Sequence, residues 1–312
     1  MNPNKRILIQ SPAKLNLFLH VTNKLKNGYH SIESVFVPID WYDSIEIKNT
    51  NDSLVTREGD FVSDINDDLL YKAAKVLKDY MHTRLSSAGE KINEAGCKIT
   101  LKKNIPSGAG LGGGSSNAAK TLVTLNRMWN INLPLKELIQ ISKELGADVP
   151  FFLQNEPCFV SGIGENIVQL TEKELLPNYF VVLVPKIKVS THDIFDLYTT
   201  NYFSPSVNFS SLKPFQIKLL FKNSNPGLWI YGKNDIEMTT TQKYPIVKYA
   251  LDLLRTNTMK YNIPEAASRM SGTGGSVFCS MPSLRIAKKI AARIEEVNKQ
   301  KIEVKVCKRS AF

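Results

Sequence analysis

The sequence predicts an α+β protein built as two domains. Apolar residues recur at period two in some stretches and at helical spacing in others. The two kinds interleave without the regular strand–helix–strand rhythm of a doubly wound sheet. At 312 residues the chain is long enough for two cores. A boundary near residue 165 predicts domains of 1–165 and 166–312, although no Pro/Gly/Ser-rich linker marks it.

Leu15, Leu17, Leu19 and Val21 alternate in LNLFLHV and predict a half-buried strand. Asn27-Gly28 signals a turn, because both residues accept positive φ. SVFVPI and SIEIK continue as short strands. Residues 68–81 switch to helical spacing, with Leu70, Ala73, Ala74, Leu77 and Met81 on one side. CKITL alternates on Cys97, Ile99 and Leu101 and runs straight into a glycine-rich loop. The next helical stripe is Ala118, Ala119, Leu122, Leu125, Met128 and Trp129, and LKELIQISKEL forms another helix stopped at Gly146. An apolar strand is expected beyond Val149-Pro150. In the second half YFVVLV reads as a buried strand and residues 201–212 as loop. IVKYALDLL and SLRIAKKIAARIEEV read as helices, and IEVKV as a closing strand.

The 43% apolar and 22% charged fractions are those of a globular protein, so disorder is excluded as the default. A formal charge of +11 suits nucleic acid, anionic lipid or a polyanionic small molecule alike. The four cysteines lack C-x-x-C spacing and the four histidines lack H-E-x-x-H, which argues against a zinc site and a disulfide framework. Lys14 interrupts the only N-terminal run resembling a signal-peptide core. No uncharged apolar run approaches the ~20 residues of a membrane span. The expectation is a reduced, cytoplasmic protein with no membrane partner.

In PSGAGLGGGSSNAA, five of the seven positions 108–114 are glycine. Such density suits close backbone approach to an anion, because successive N–H groups can turn inward around phosphate oxygens. The loop also feeds a helix N-terminus, whose free amides and dipole favour negative charge. Ser115, Ser116 and Asn117 stand there as N-caps or hydroxyl ligands. From Ala95 to Lys136 there is no Asp or Glu, whereas Lys98, Lys102, Lys103, Lys120, Arg127 and Lys136 are basic. A loop without ligand is the plainer alternative, but flexible linkers rarely join an alternating strand to an amphipathic helix.

The three common phosphate loops do not fit. Gly108-x-Gly110-x-x-Gly113 matches the dinucleotide fingerprint, yet no acid follows until Glu137 to hold a ribose. Walker A requires Lys-Ser/Thr after its last glycine, and Ser115-Ser116 stands there. A protein-kinase loop requires H-R-D and D-F-G downstream, and neither occurs.

The pattern P-x-G-x-G-L-G-G-G-S-S resembles the ATP loop of the GHMP kinases. PAKLNLFL at 12–19, NGYH at 27–30, GADVPFF at 146–152 and SGTGGSVF at 271–278 resemble further motifs of that superfamily, in order along nearly the whole chain. They narrow the likeness to members whose substrate carries a cytidine diphosphate group. The resemblance implies an N-terminal ATP-binding domain, a C-terminal substrate-binding domain and an active site in the cleft between them. It implies transfer of the ATP γ-phosphoryl to the 2-hydroxyl of a methylerythritol unit, with ADP released and Mg2+ on the ATP oxygens. The family often has Asp where Asn27 stands; both suit a turn.

The same resemblance assigns roles. Pro106, Ser107, Gly108, Ala109, Gly110, Leu111, Gly112, Gly113, Gly114, Ser115 and Ser116 hold ATP. Asp148, otherwise an Asx-turn carboxylate, orients the hydroxyl and accepts its proton. Lys14, otherwise a solvated lysine, holds the hydroxyl and offsets charge developing in transfer. Asn16 shares the side of the strand that carries Lys14 and is a substrate ligand. Tyr29 stacks on cytosine, His30 reads its edge, and Phe195 covers the other ring face. Gly272, Thr273 and Gly274 form a second glycine cluster that holds phosphates or substrate, and Ser116 is a candidate metal contact. Two rival readings remain: a homoserine- or mevalonate-type kinase, whose substrate offers no base to Tyr29 and His30, and a non-catalytic RNA-binding protein motivated by the charge. The absence of an arginine-rich tract speaks for a small-molecule substrate and no nucleic acid.

Overall fold

The computed structural model describes residues 5–61, 63–88, 96–171, 173–198, 203–206, 228–299 and 302–310. The chain divides into two compact units. The first is Met1–Ala13, Trp41–Ser107 and Gly112–Asn155; the second is Lys14–Asp40, Gly108–Leu111 and Glu156–Phe312. The last change of unit follows Asn155, so every residue beyond the expected boundary near 165 belongs to the second. Two long strands, β1 (Arg6–Lys24) and β2 (His30–Thr50), give residues to both units.

In the first unit β2 pairs antiparallel with β4 (Gly96–Lys102), which pairs parallel with β3 (Val55–Gly59). Helices α1 (Leu69–Ala88) and α2 (Gly113–Met128) pack together, and α2 also packs on α4 (Val149–Gln154). Both predicted apolar stripes are buried throughout, from Leu70 to Met81 and from Ala118 to Trp129. The burial of these side chains, at about 25 cal/mol per Å² of apolar area, is what holds the helices together.

Four local expectations change. SVFVPI and SIEIK belong to the single strand β2, which passes through Pro38; the proline needs no ladder donor, and its carbonyl accepts from the Ser310 amide at 2.8 Å. The run after Val149-Pro150 is α4, not a strand. Pro150 sits in its first turn and left-handed Asn155 (φ 56°) ends it, so a short apolar run carried no decisive period. Helix α3 (Leu135–Ser142) stops before Gly146, its last amides tightening onto carbonyls three residues back from Lys143 to Leu145. Helix α2 begins at Gly113 with left-handed Gly112 at its N-cap and no side-chain cap, so Ser115, Ser116 and Asn117 lie inside the helix.

In the second unit Ile32–Phe36 of β2 pairs antiparallel with β5 (Cys158–Gly162), which pairs with β6 (Asn166–Gln169). A separate antiparallel sheet runs β10 (Glu303–Lys308), β7 (Tyr179–Val184), β9 (Val277–Met281) and β8 (Ser268–Met270). The helices are α5 (Thr191–Leu197), α6 (Glu237–Lys243), α7 (Pro245–Met259) and α8 (Leu284–Val297). The core joins Leu19 and Val21 of β1 to Leu183, Val277, Leu254 and Ile290. Strand β1 is buried on both faces from Ser11 to Leu19, not on one. Within this unit Phe18, opposite in parity to Leu17 and Leu19, packs edge-on against Tyr231 at 5.3 Å. Residues 203–206 lie outside helix and strand, and the rest of the predicted 201–212 loop lies outside the described residues. Among the described residues no helix is long and apolar enough to cross a membrane. All four cysteines are free and buried, and burial pushes the thiols of Cys97, Cys158 and Cys279 up to about 12.

Candidate active site

The two glycine clusters meet backbone to backbone in the second unit. The Ala109 carbonyl accepts from the Ser276 amide at 3.0 Å and from its hydroxyl at 2.7 Å. Gly110 has φ +74°, and a Cβ there would lie 2.5 Å from the Ser271 carbonyl oxygen, so only glycine fits. The Leu111 carbonyl accepts from the Lys14 amide at 2.9 Å. Residues 108–111 are thus held by the 271–276 loop and by β1, and they are not a loose linker. The Asn234 amide group, buried, donates to the carbonyls of Met270 (2.9 Å) and Gly272 (2.8 Å), fixing the second cluster in turn.

Beside this junction lie Lys14 and Asn16, both buried. The Lys14 ammonium donates to Asn16 Oδ1 at 2.5 Å and stands 4.5 Å from the centre of the Phe36 ring. Asn16 is pinned at three points: its amide N–H donates to Ser271 Oγ (3.1 Å), its Nδ2 donates to Ser34 Oγ (3.2 Å), and its Oδ1 takes the lysine. Gly272, at φ +59°, leaves no Cβ to crowd Asn16 Oδ1, which such an atom would approach to 3.2 Å. The period-two expectation that Asn16 and Lys14 share a side is met in these contacts. Ser34, Phe36 and Asn234 carried no motif signal.

His30 is buried and stacked on Phe195, with ring centroids 5.2 Å apart and planes 21° apart, while Tyr198 meets it edge-on at 5.9 Å. Tyr29 is 62% exposed. Thr273 shares a hydroxyl–hydroxyl bond of 2.8 Å with Thr191 at the start of α5. The Phe195 ring therefore lies against His30 itself. Burial lowers the His30 pKa, Lys24 lowers it further and Asp196 opposes them; burial likewise lowers His20. The unfolded chain then binds protons first, so this stability is complete above the ordinary histidine value of about 6.5 and is lost as pH falls below it. We expect Tm to drop between about pH 7 and pH 5, and to drop less in His30→Gln. Equal slopes for the two proteins would contradict a neutral, stacked imidazole.

In the first unit, Gly113–Ser116 form the first turn of α2, with no acidic residue among them. Ser116 is fully buried and its Oγ accepts from the Ser11 hydroxyl at 2.7 Å, so this hydroxyl works inside the fold. Asp148 occupies the N-cap position of α4, half-buried, and its carboxylate does not cap the helix. Pro150 offers no amide hydrogen there. Among the described residues no three His, Cys, Asp or Glu side chains cluster as a metal site.

Residues 68–156 match the family model of the GHMP kinases N terminal domain. The 4-diphosphocytidyl-2-C-methyl-D-erythritol kinase of Paraburkholderia phymatum is 40% identical over 88% of this chain and 85% of its own. That of Burkholderia multivorans is 38% identical over 91% of this chain and 88% of its own. The chain belongs to the 4-diphosphocytidyl-2-C-methyl-D-erythritol kinase family. A crystal structure of a 4-(cytidine 5'-diphospho)-2C-methyl-D-erythritol kinase superposes with a TM-score of 0.72 at 26% identity, covering 97% of this chain and all of that one (100%). Homoserine kinase from Cytophaga hutchinsonii shares the fold, with TM-score 0.68 and 16% identity over 100% of this chain and 96% of its own. The protein is therefore a kinase with the α+β GHMP fold expected from its motifs.

Proposed function

We propose that this kinase transfers the γ-phosphoryl group of ATP to the 2-hydroxyl of 4-(cytidine 5'-diphospho)-2-C-methyl-D-erythritol, releasing ADP, in the non-mevalonate route to isoprenoid precursors. The observation that carries the reading is the anchored glycine segment: 108–111 is tied down by hydrogen bonds, and Gly112–Ser116 opens a helix with neither side-chain cap nor acid. A helix start left in that state has amides and dipole available to an anion.

The Pro106–Ser116 segment holds the phosphates through its free main-chain amides. Pro106, with no N–H, shapes the entry to the loop, and the Ser116 amide is taken by the Gly112 carbonyl at 2.9 Å. Asp148 orients the acceptor hydroxyl and takes its proton as the new P–O bond forms; in a loose phosphoryl-transfer transition state late proton removal suffices. The Lys14 ammonium, fixed by Asn16, holds the hydroxyl oxygen and offsets charge developing on the transferring group. Asn16 with Gly272, Thr273 and Gly274 positions the substrate. Tyr29, His30 and Phe195 take the cytosine, with Phe195 leaving its stack on His30 to admit the ring. When bound with ATP, Mg2+ would supply charge neutralisation on the phosphate oxygens. Residues 1–165 handle ATP and 166–312 complete the substrate site. The four buried thiols support placement in the reducing cytoplasm.

ADP release measured with the cytidyl substrate, homoserine and mevalonate tests the substrate. Turnover is expected with the first alone. Turnover of homoserine or mevalonate with silence on the cytidyl compound would reject the assignment.

A further inference from the structure

The carboxylate of Asp43, on β2 in the first unit, is fully buried and accepts four hydrogen bonds. Its Oδ1 takes the backbone amides of Asn104 (2.7 Å) and Ile105 (2.8 Å). Its Oδ2 takes Lys103 Nζ (2.6 Å) and Asn117 Nδ2 (2.9 Å). Ile105 and Asn117 are the residues immediately outside Pro106–Ser116, so one side chain grips both stems of the glycine segment. The grip is reinforced around Asn104, whose carbonyl accepts from Trp41 Nε1 (3.0 Å) and whose Nδ2 donates to the Tyr42 carbonyl (2.9 Å). Lys103 Nζ donates also to the Ile105 carbonyl at 2.5 Å, closing the network on itself.

We infer that Asp43 is a positioning residue for ATP: it sets the separation of the two stems so that the glycine amides are ordered before the nucleotide arrives. The inference rests on the reading of Pro106–Ser116 as the phosphate site. Its physical basis is entropic. A glycine-rich segment has the most backbone freedom to lose, and freedom removed beforehand is not lost again on binding. Lys103 and Asn117 could be read from the sequence as basic and capping residues of an ATP loop. Here both are turned to a buried carboxylate remote in sequence.

Asp43→Asn keeps the shape but presents an amide NH2 where Lys103 and Asn117 also donate, so that end of the network is broken. The expected result is a rise of about tenfold in KM for ATP, with kcat at saturating ATP and KM for the cytidyl substrate within twofold of wild type. A purely structural role would instead lower the active fraction, and with it the apparent kcat, at unchanged KM. Asn117→Ala removes one of the four bonds and keeps the measurement available should Asp43→Asn not fold; a smaller rise in KM for ATP is expected. Ser115→Asp, measured alongside, separates the two ideas. If it raises KM for ATP while neither network variant does, the role of Asp43 is overturned and the loop reading stands. If none of the three moves KM for ATP, the loop reading falls, and the Asp43 inference with it.

Discussion

Asp148→Asn is expected to lower kcat by about a thousandfold while the Kd for ATP stays nearly unchanged. The substitution is isosteric, and the Asp148 carboxylate makes no capping bond to α4 that could be lost, so the helix keeps its start. What is lost is an oxygen able to accept a proton. Phosphoryl transfer to an alcohol ends with that proton on some base, and an amide cannot take it. Single-turnover rates with ATP binding measured separately decide the matter. A variant within a few-fold of wild type would remove Asp148 from the proton's path.

Ser115→Asp is expected to raise KM for ATP by about a hundredfold and leave Tm unchanged or slightly higher. The two effects have opposite signs for one reason. An acid in the first turn of α2, which now has none, interacts well with the helix amides and dipole, worth about 0.3–1 kcal/mol. The same charge repels phosphates seeking those amides, and at a few ångströms in a partly buried site like-charge repulsion reaches several kcal/mol. Improved melting with unchanged KM would place the triphosphate elsewhere on the protein.

Helix α1 was legible because its burial is one-sided and long, and β7 because a short, wholly apolar run is buried on both faces. Period fails where it is short or interrupted. Phe151 and Phe152 lie in too brief a run to separate helix from strand, and Pro38 masked the continuity of β2. The half-buried reading of β1 failed for another reason: alternation reports which residues are apolar, not how many faces are covered. Asn16 and Lys14 looked like the wet side, yet they are buried among Ser34, Phe36 and Ser271.

The sequence alone determined the family, the glycine segment, and the residues that the motifs carry, because glycine density, acid-free stretches and motif order are properties of the linear chain. Only the tertiary structure decided which glycines meet, that Ser116 turns to Ser11, that Phe195 lies on His30, and that Asp43 holds both stems of the loop. Each is a contact between residues distant in the chain. Spacing constrains neighbours along a helix or strand, but it is silent about which buried donor a folded backbone brings to which acceptor.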